Sequence, residues 1–229
     1  MQMPARLWPY AAAMALVVLA SNVLVQFPVS GSVGGVALAD ILTWGAFTYP
    51  LSFLVTDLAN RAHGPAFARS VVFTGFGLAI ASSLIIPPLL FKAGLTAFEL
   101  DAARLARIAI ASGVAFLTGQ LLDVTLFNRL RQMSWWRAPL LATLAGSIAD
   151  TAVFFTLAFA AFITFIGPAD GFALESAPFL GGFGFDAPRW ASWAAGDLAV
   201  KLIIAALALA PYRMLMNRYA VWTPEGKMA

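Results

Sequence analysis

The chain has 229 residues, 61% hydrophobic and 11% charged, with a mean hydropathy of +0.84 and a formal net charge of +3. A water-soluble domain carries about 25% charged and roughly 45–50% apolar residues, so this chain cannot cover itself with a water-compatible surface. It reads as one all-α polytopic membrane domain over residues 1–229, and the lack of cysteine excludes disulfides, thiolate metal sites and cysteine nucleophiles.

Crossing the hydrocarbon core takes about 20 apolar residues per helix, and six stretches supply them. The first, 8–27, holds Ser21, Asn22 and Gln26, polar groups expected to face the bundle rather than lipid, and Pro28 ends it. Its start, MQMPARLWPY, resembles a signal peptide, but the long run and the spans after it predict an uncleaved helix. Residues 29–42, Gly-rich and ending near Asp40, read as an outer loop. The second span, 43–61, contains Pro50, which should kink it, and buries Asp57 near its end. A tight basic connection with Arg61, His63, Gly64, Pro65 and Arg69 leads to the third span, 67–91, with Pro87 and Pro88 near its far end. The lone His63 is expected to be a solvated loop residue.

Lys92 to Asp101 form an outer loop before the fourth span, 103–127. Arg104 and Arg107 stand in its first turns, Gln120 and Asp123 near its end. The basic loop NRLRQMSWWR (128–137) follows, with its tryptophans at interface depth. The fifth span, 138–166, carries Ser147, Asp150 and Thr151 about half-way along. Residues 167–189 are apolar but too broken by Gly and Pro to span, and their role is open. The sixth span, 190–215, carries Asp197 and Lys201, and a short basic tail closes the sequence.

Six spans form a six-transmembrane-helix bundle with both termini on one side. That side collects Arg6, Arg61, Arg69, Arg129, Arg131, Arg137, Arg213, Arg218 and Lys227. The other holds Lys92 and Arg189 among Asp40, Glu99, Asp101, Asp170, Glu175 and Asp186. Positive residues concentrate on the cytoplasmic side of membrane proteins, so both termini are expected there. Spread over loops, these charges make no patch for nucleic acid.

A carboxylate at the centre of a membrane helix costs about 2.5–3.5 kcal/mol even on lenient scales, so such residues have a partner or a role. Asp197 and Lys201 are four apart with the acid first, the favourable order for a pair on one helix, and so are Asp57 and Arg61. Plain readings are a self-neutralising pair for the former and a helix-end ion pair for the latter. Gln120 with Asp123, and Ser147 with Asp150, are three apart and have no cation on the same helix face. Lys201 is the distant partner expected for Asp150. Arg107 is expected either to reach outward to headgroups or to touch a ligand. Acids, amides and the rings of Trp44, Phe47, Tyr49, Phe116 and Trp193 suit a planar, nitrogen-rich ligand held between helices. No phosphate-binding loop, His-Glu-x-x-His helix or nucleophile elbow occurs, so neither metal nor cofactor is expected. Asp57 and Asp123 as an aspartyl protease pair would lack the Gly-x-Gly-Asp context.

The segments SNVLVQFPV (21–29), TWGAFTYPLSFLVTDLANRAHGPAFAR (43–69), ARIA (106–109), GQLLDVTLFNRLRQ (119–132) and SIADT (147–151) resemble the queuosine-precursor transporter family, as does the Asp197–Lys201 pair. These are bacterial inner-membrane proteins once grouped with vitamin-uptake proteins. Residues 167–189 match nothing in that family. The resemblance implies a non-enzymatic importer, without cofactor, of 7-cyano-7-deazaguanine or 7-aminomethyl-7-deazaguanine for salvage into the queuosine of tRNA. It also implies site residues. Asp123 or Asp150 would take the guanine-like edge, Gln120 and Asn22 the carbonyl and cyano acceptors, and Trp44 would stack. Asp197 and Lys201 would orient the pocket or couple it to protons, with Asp57 and Arg107 completing the set. Alternatives are a substrate-capturing subunit of a multi-chain ATP-driven importer and an intramembrane hydrolase. A homodimer and proton coupling are open expectations.

Overall fold

The computed structural model describes residues 7–97, 100–182 and 184–216, and it is mostly helical. Arg6, Glu99, Arg218 and Lys227, counted above for orientation, lie outside the described residues, as does the tail from 217. Helix α1, Trp8–Leu24, opens on a proline in its first turn, where a missing N–H costs nothing. It buries Tyr10, Met14, Val18 and Ser21, a stripe at helical spacing, while Leu16 and Leu19 point outward. It stops before the expected 27, because Val29 and Trp44 donate backbone hydrogen bonds to Leu42 and Phe27. These cross-links hold the two ends of the outer loop together. Within that loop, β1 (Ser32–Val33) pairs antiparallel with β2 (Val36–Ala37).

The second expected span is two pieces, α2 (Gly45–Thr48) and α3 (Leu51–His63). Pro50 has no N–H, and the amides of Ser52 and Phe53 bond three residues back, to Tyr49 and Pro50, instead of four. The far end also differs from expectation. Helix α3 continues through Arg61 to His63 and stops at Gly64, whose φ of +87° favours glycine. Helix α4, Pro65–Lys92, begins at the next residue. Arg61 is therefore a buried helical residue, and His63 is half-buried, packed near Tyr10 and Phe67 rather than solvated.

Helix α5, Ala102–Leu130, is capped by the Asp101 carboxylate, which accepts from the amides of Ala103 and Arg104. Helix α6, Arg137–Phe159, ends short of the expected 166. The following loop is structured, with α7 (Gly171–Leu174) and an antiparallel hairpin of β3 (Ser176–Pro178) and β4 (Asp186–Pro188). Helices α8 (Arg189–Leu207) and α9 (Leu209–Met216) follow. Among the described residues, four segments are long and apolar enough to cross a membrane: α4, α5, α6 and the α8–α9 run from Arg189 to Met216. At 17 residues α1 is apolar but shorter, and the Pro50 break leaves α3 with 13.

The bundle closes around the antiparallel pair α5 and α6. Without a solvent to drive apolar surfaces together, membrane helices gain contact through small residues that let backbones approach. Here Gly119 and Gly146 meet, and a Cβ on Gly146 would stand 2.8 Å from the Gly119 carbonyl oxygen and 2.8 Å from the Phe53 ring. On the other side of α5, Met14, Val18, Val71, Val72 and Phe116 pack α1, α4 and α5 into one apolar cluster.

Gly146→Ala should therefore destabilise the protein by about 1–3 kcal/mol, the usual cost of overpacking. Gly77→Ala, whose added methyl meets nothing within 4 Å, should not. Melting curves of the two variants in detergent check this.

Candidate functional site

Polar side chains run as a column between α3, α5, α6 and α8, in layers from the Asp101 end of α5 toward its Arg131 end. The first layer is an ion cluster. Lys201 of α8 places its ammonium 2.7 Å from Asp150 Oδ2, 2.6 Å from Asp197 Oδ2 and 3.0 Å from Thr151 Oγ1, so each of its three protons has an acceptor. The Thr151 hydroxyl donates to Asp197 Oδ2 at 2.9 Å, and the Tyr49 hydroxyl donates to Asp150 Oδ1 at 2.7 Å. The Tyr49 ring lies 5.0 Å from the ammonium, in range for a cation–π contact. Two carboxylates around one ammonium leave an excess negative charge. Asp150 and Lys201 are sealed, whereas the Asp197 side chain is 18% exposed and its Oδ1 makes no hydrogen bond among the described residues.

Gln120 forms the second layer. Its Oε1 accepts from the Thr56 hydroxyl at 2.6 Å and its Nε2 donates to the Ser52 hydroxyl at 2.8 Å. The amide is spent on holding α5 to α3, and it is fully buried. In the third layer Asp57 of α3 faces Asp123 of α5, with Thr143 of α6 between them. The Thr143 hydroxyl is 3.2 Å from Asp57 Oδ2 and 3.2 Å from Asp123 Oδ1. The other oxygens, Asp57 Oδ1 and Asp123 Oδ2, are buried without a hydrogen-bond partner.

The fourth layer is cationic. Arg61 and Arg131 both set their guanidinium groups 5.6 Å from the Phe127 ring centroid. Arg61 Nε donates to the Tyr212 hydroxyl at 3.0 Å, and Arg131 donates to the Asn60 carbonyl and side-chain oxygens at 2.6 Å. The expected Asp57–Arg61 ion pair is not among the salt bridges of the described residues, because the Arg61 guanidinium gives its hydrogen bonds to Tyr212 and the Arg131 carbonyl, and its charge acts on Asp57 only from farther off. Spacing put both residues on one face but did not fix which way the longer chain bends.

The remaining expected site residues stand apart from the column. Asn22 accepts from Ser83 of α4 at 2.9 Å and donates to the Val18 carbonyl. Trp44 is 47% exposed and contacts Phe47. Arg107 neither reaches headgroups nor faces a cavity. Its guanidinium, 1% exposed, donates to the carbonyls of Leu157, Ala160 and Gly167 at 2.9, 2.8 and 3.1 Å. These include orphan carbonyls at the end of α6, so a cation there completes the helix terminus, which is why α6 ends at Phe159. Among the described residues, no three His, Asp or Glu side chains gather as metal ligands do. Thr143 was missed, though it lies seven residues before Asp150, on the same helix face as Ser147 and Asp150.

Two cavities adjoin the column. One, about 220 Å³, lies between α6 and α8, walled by Phe155, Trp190 and Leu198 with Thr151 and Thr156 as its polar groups. The other, about 10 Å³, is lined by Asp57, Thr143, Pro139 and Tyr212, room for about one water molecule.

Comparison with known proteins places the chain among membrane transport proteins. A family model described as "Putative vitamin uptake transporter" matches residues 43–216. The "Queuosine precursor transporter" of Escherichia coli (strain K12) is 37% identical over 207 residues, covering 88% of this chain and 82% of that protein. The "Probable queuosine precursor transporter" of Haemophilus influenzae is 36% identical over 215 residues with the same coverage. That of Bacillus subtilis (strain 168) is 32% identical over 136 residues, 56% of this chain and 59% of its own. No solved structure matches the chain.

Lys201→Met removes the only ammonium from the ion cluster and leaves two carboxylates facing each other. Breaking one partner out of a buried pair costs about 3–5 kcal/mol, so the melting temperature should fall sharply. The triple change Lys201→Met, Asp150→Asn, Asp197→Asn should recover most of the loss.

Proposed function

The chain belongs to the queuosine precursor transporter family, and from that premise we propose that it imports a 7-deazaguanine base, 7-cyano-7-deazaguanine or its aminomethyl relative. It is a multi-pass membrane protein that carries a small molecule across a lipid bilayer, and its relatives are named as transporters, not enzymes. The proposal adds that α1 and the α2–α3 unit also cross, making six crossings. The arginine-rich ends then face the cytoplasm of a bacterial inner membrane. Arg69, Arg129 and Arg137 at one end, against Asp40, Asp101, Asp170 and Glu175 at the other, support that orientation.

The observation that carries the reading is the uncommitted Asp197 Oδ1 in a cluster with one carboxylate to spare. Thr151, which bonds both Asp197 and Lys201, also lines the 220 Å³ cavity. A 7-deazaguanine base keeps the ring N–H and exocyclic amine of guanine as donors, and the open Asp197 Oδ1, with two lone pairs, can accept from that edge while Oδ2 stays with Lys201 and Thr151. Cavities for drug-sized ligands run about 300–1,000 Å³, so one slightly smaller suits a bicyclic base. Phe155 and Trp190 offer the apolar walls against which such a ring packs. The site we propose is therefore centred on Asp197, with Thr151, Asp150, Lys201 and Tyr49 holding it in shape. In this reading Asn22, Gln120 and Arg107 spend their polar groups on neighbouring elements, and Trp44, half exposed beside Phe47, is not required for the base.

Thermal melting of the purified protein across purine and deazapurine bases tests this. A ligand at a hundred times its dissociation constant adds about 2.7 kcal/mol, so the deazaguanines should raise the melting point and adenine should not. Asp197→Asn should abolish the shift, while Asn22→Ala and Trp44→Ala should keep it. No shift with either deazaguanine for well-folded wild type would refute the substrate assignment.

A further inference from the structure

The ion cluster leaves the second pair of acids unused. Asp57 and Asp123 lie in the same column, one layer beyond Gln120, and both are at least nine-tenths buried. Of the four carboxylate oxygens there, two converge on a single donor, the Thr143 hydroxyl, which has one hydrogen and stands 3.2 Å from an oxygen on each side. The other two, Asp57 Oδ1 and Asp123 Oδ2, accept nothing. Among the described residues no salt bridge reaches the pair, and the Arg61 charge acts on Asp57 only from beyond ion-pair distance. Arg61 on α3 gives its bonds to Tyr212 and the Arg131 carbonyl, and Arg131 beyond α5 bonds Asn60. Lys201 on α8 is occupied by Asp150 and Asp197. Tyr212 on α9 accepts from Arg61, while Arg69 and Lys92 of α4 are exposed at its ends. Two neighbouring buried carboxylates cannot both stay ionised without donors, and the donor the site lacks is supplied by one proton on one of them.

The geometry points to Asp57 and Asp123 as a proton-binding site: one proton shared across the pair, Thr143 donating to whichever carboxylate is ionised, and the small Tyr212-lined cavity beside Asp57 admitting a water molecule that delivers or removes it. Resting on the importer reading, this site makes the proton the coupled ion and keeps it apart from the base. Loading converts a carboxylate and a hydronium-borne proton into a carboxylic acid, and unloading reverses this; no bond to the base is made. A cation such as sodium fits less well, since the pair and Thr143 offer few oxygens and the cavity of about 10 Å³ has little room for more water.

Infrared difference spectroscopy of the full chain in detergent reads the carbonyl stretch of a protonated carboxylic acid. At neutral pH the wild type should show this band, Asp57→Asn with Asp123→Asn should lose it, and Thr143→Val should displace it. No band in folded wild type, or an unchanged band in the double variant, overturns the proton site. Should the Asn pair fail to fold, Thr143→Val decides alone, an unmoved band overturning the proposal. Sodium-dependent melting that vanishes in the double variant also overturns it. In proteoliposomes, an acid exterior should drive accumulation of 7-cyano-7-deazaguanine by the wild type and not by the double variant. Accumulation indifferent to the pH gradient overturns the coupling role. If the wild type moves no deazaguanine at all, the importer reading falls while the infrared result still judges the proton site.

Discussion

The contact on which the interior depends is the backbone approach of Gly119 to Gly146. It fixes how far apart α5 and α6 lie and, through helix periodicity, where their acids stand. Asp123 follows Gly119 by one turn and Asp150 follows Gly146 by one turn, but the helices run in opposite directions. Each carboxylate is therefore carried to the opposite side of the contact. The Asp150 Cβ lies against Gly119 and the Asp123 Cβ against Gly146. At about 1.5 Å per residue, four residues separate the two acid layers by roughly 6 Å along the helices. A side chain at either glycine would push the helices apart and loosen both layers together.

Once the acids are placed, hydrogen-bond accounting explains the rest of the column. A polar group in a water-free interior must find a partner or raise the energy of the fold. Lys201 spends three protons on three acceptors, Gln120 spends both ends on α3, and Arg107 spends three donors on carbonyls near the end of α6. The exceptions in the column are Asp197 Oδ1 at the open edge of the ion cluster, the free oxygens of Asp57 and Asp123, and the Ser147 hydroxyl. Of these residues Asp57 lines the small cavity, and Asp197 bonds Thr151, which lines the larger one.

Much of this was legible beforehand. Hydropathy placed α4, α5 and the α8–α9 run to within a few residues, since long apolar helices announce themselves by composition. Four-residue spacing joined Asp197 to Lys201, and the shortage of other cations joined Lys201 to Asp150. The failures have a common cause. Sequence spacing gives the face of a helix and the level of a residue, but neither the neighbouring helix nor the bend of a long side chain. Sequence offers Arg107 only headgroups or a ligand as partners, because nothing in it reveals the end of α6 alongside. Arg61 was paired with Asp57, although Tyr212, some 150 positions later, takes it. Thr143, a single hydroxyl between two acids, carries no sequence signal of its own.

Pro50 sits between the two acid layers in an instructive way. Tyr49, just before it, reaches Asp150; Asp57, two turns after it, faces Asp123. The segment bearing both is interrupted at the proline, where the regular helical ladder is broken. The α5–α6 pair, by contrast, is fastened at its middle by glycine and at one end by Arg107. Each side of the break is tied to that frame separately, Tyr49 to Asp150 before it and Ser52, Thr56 and Asn60 to α5 after it, so the two acid layers are served by two pieces of chain joined only through the backbone at Pro50.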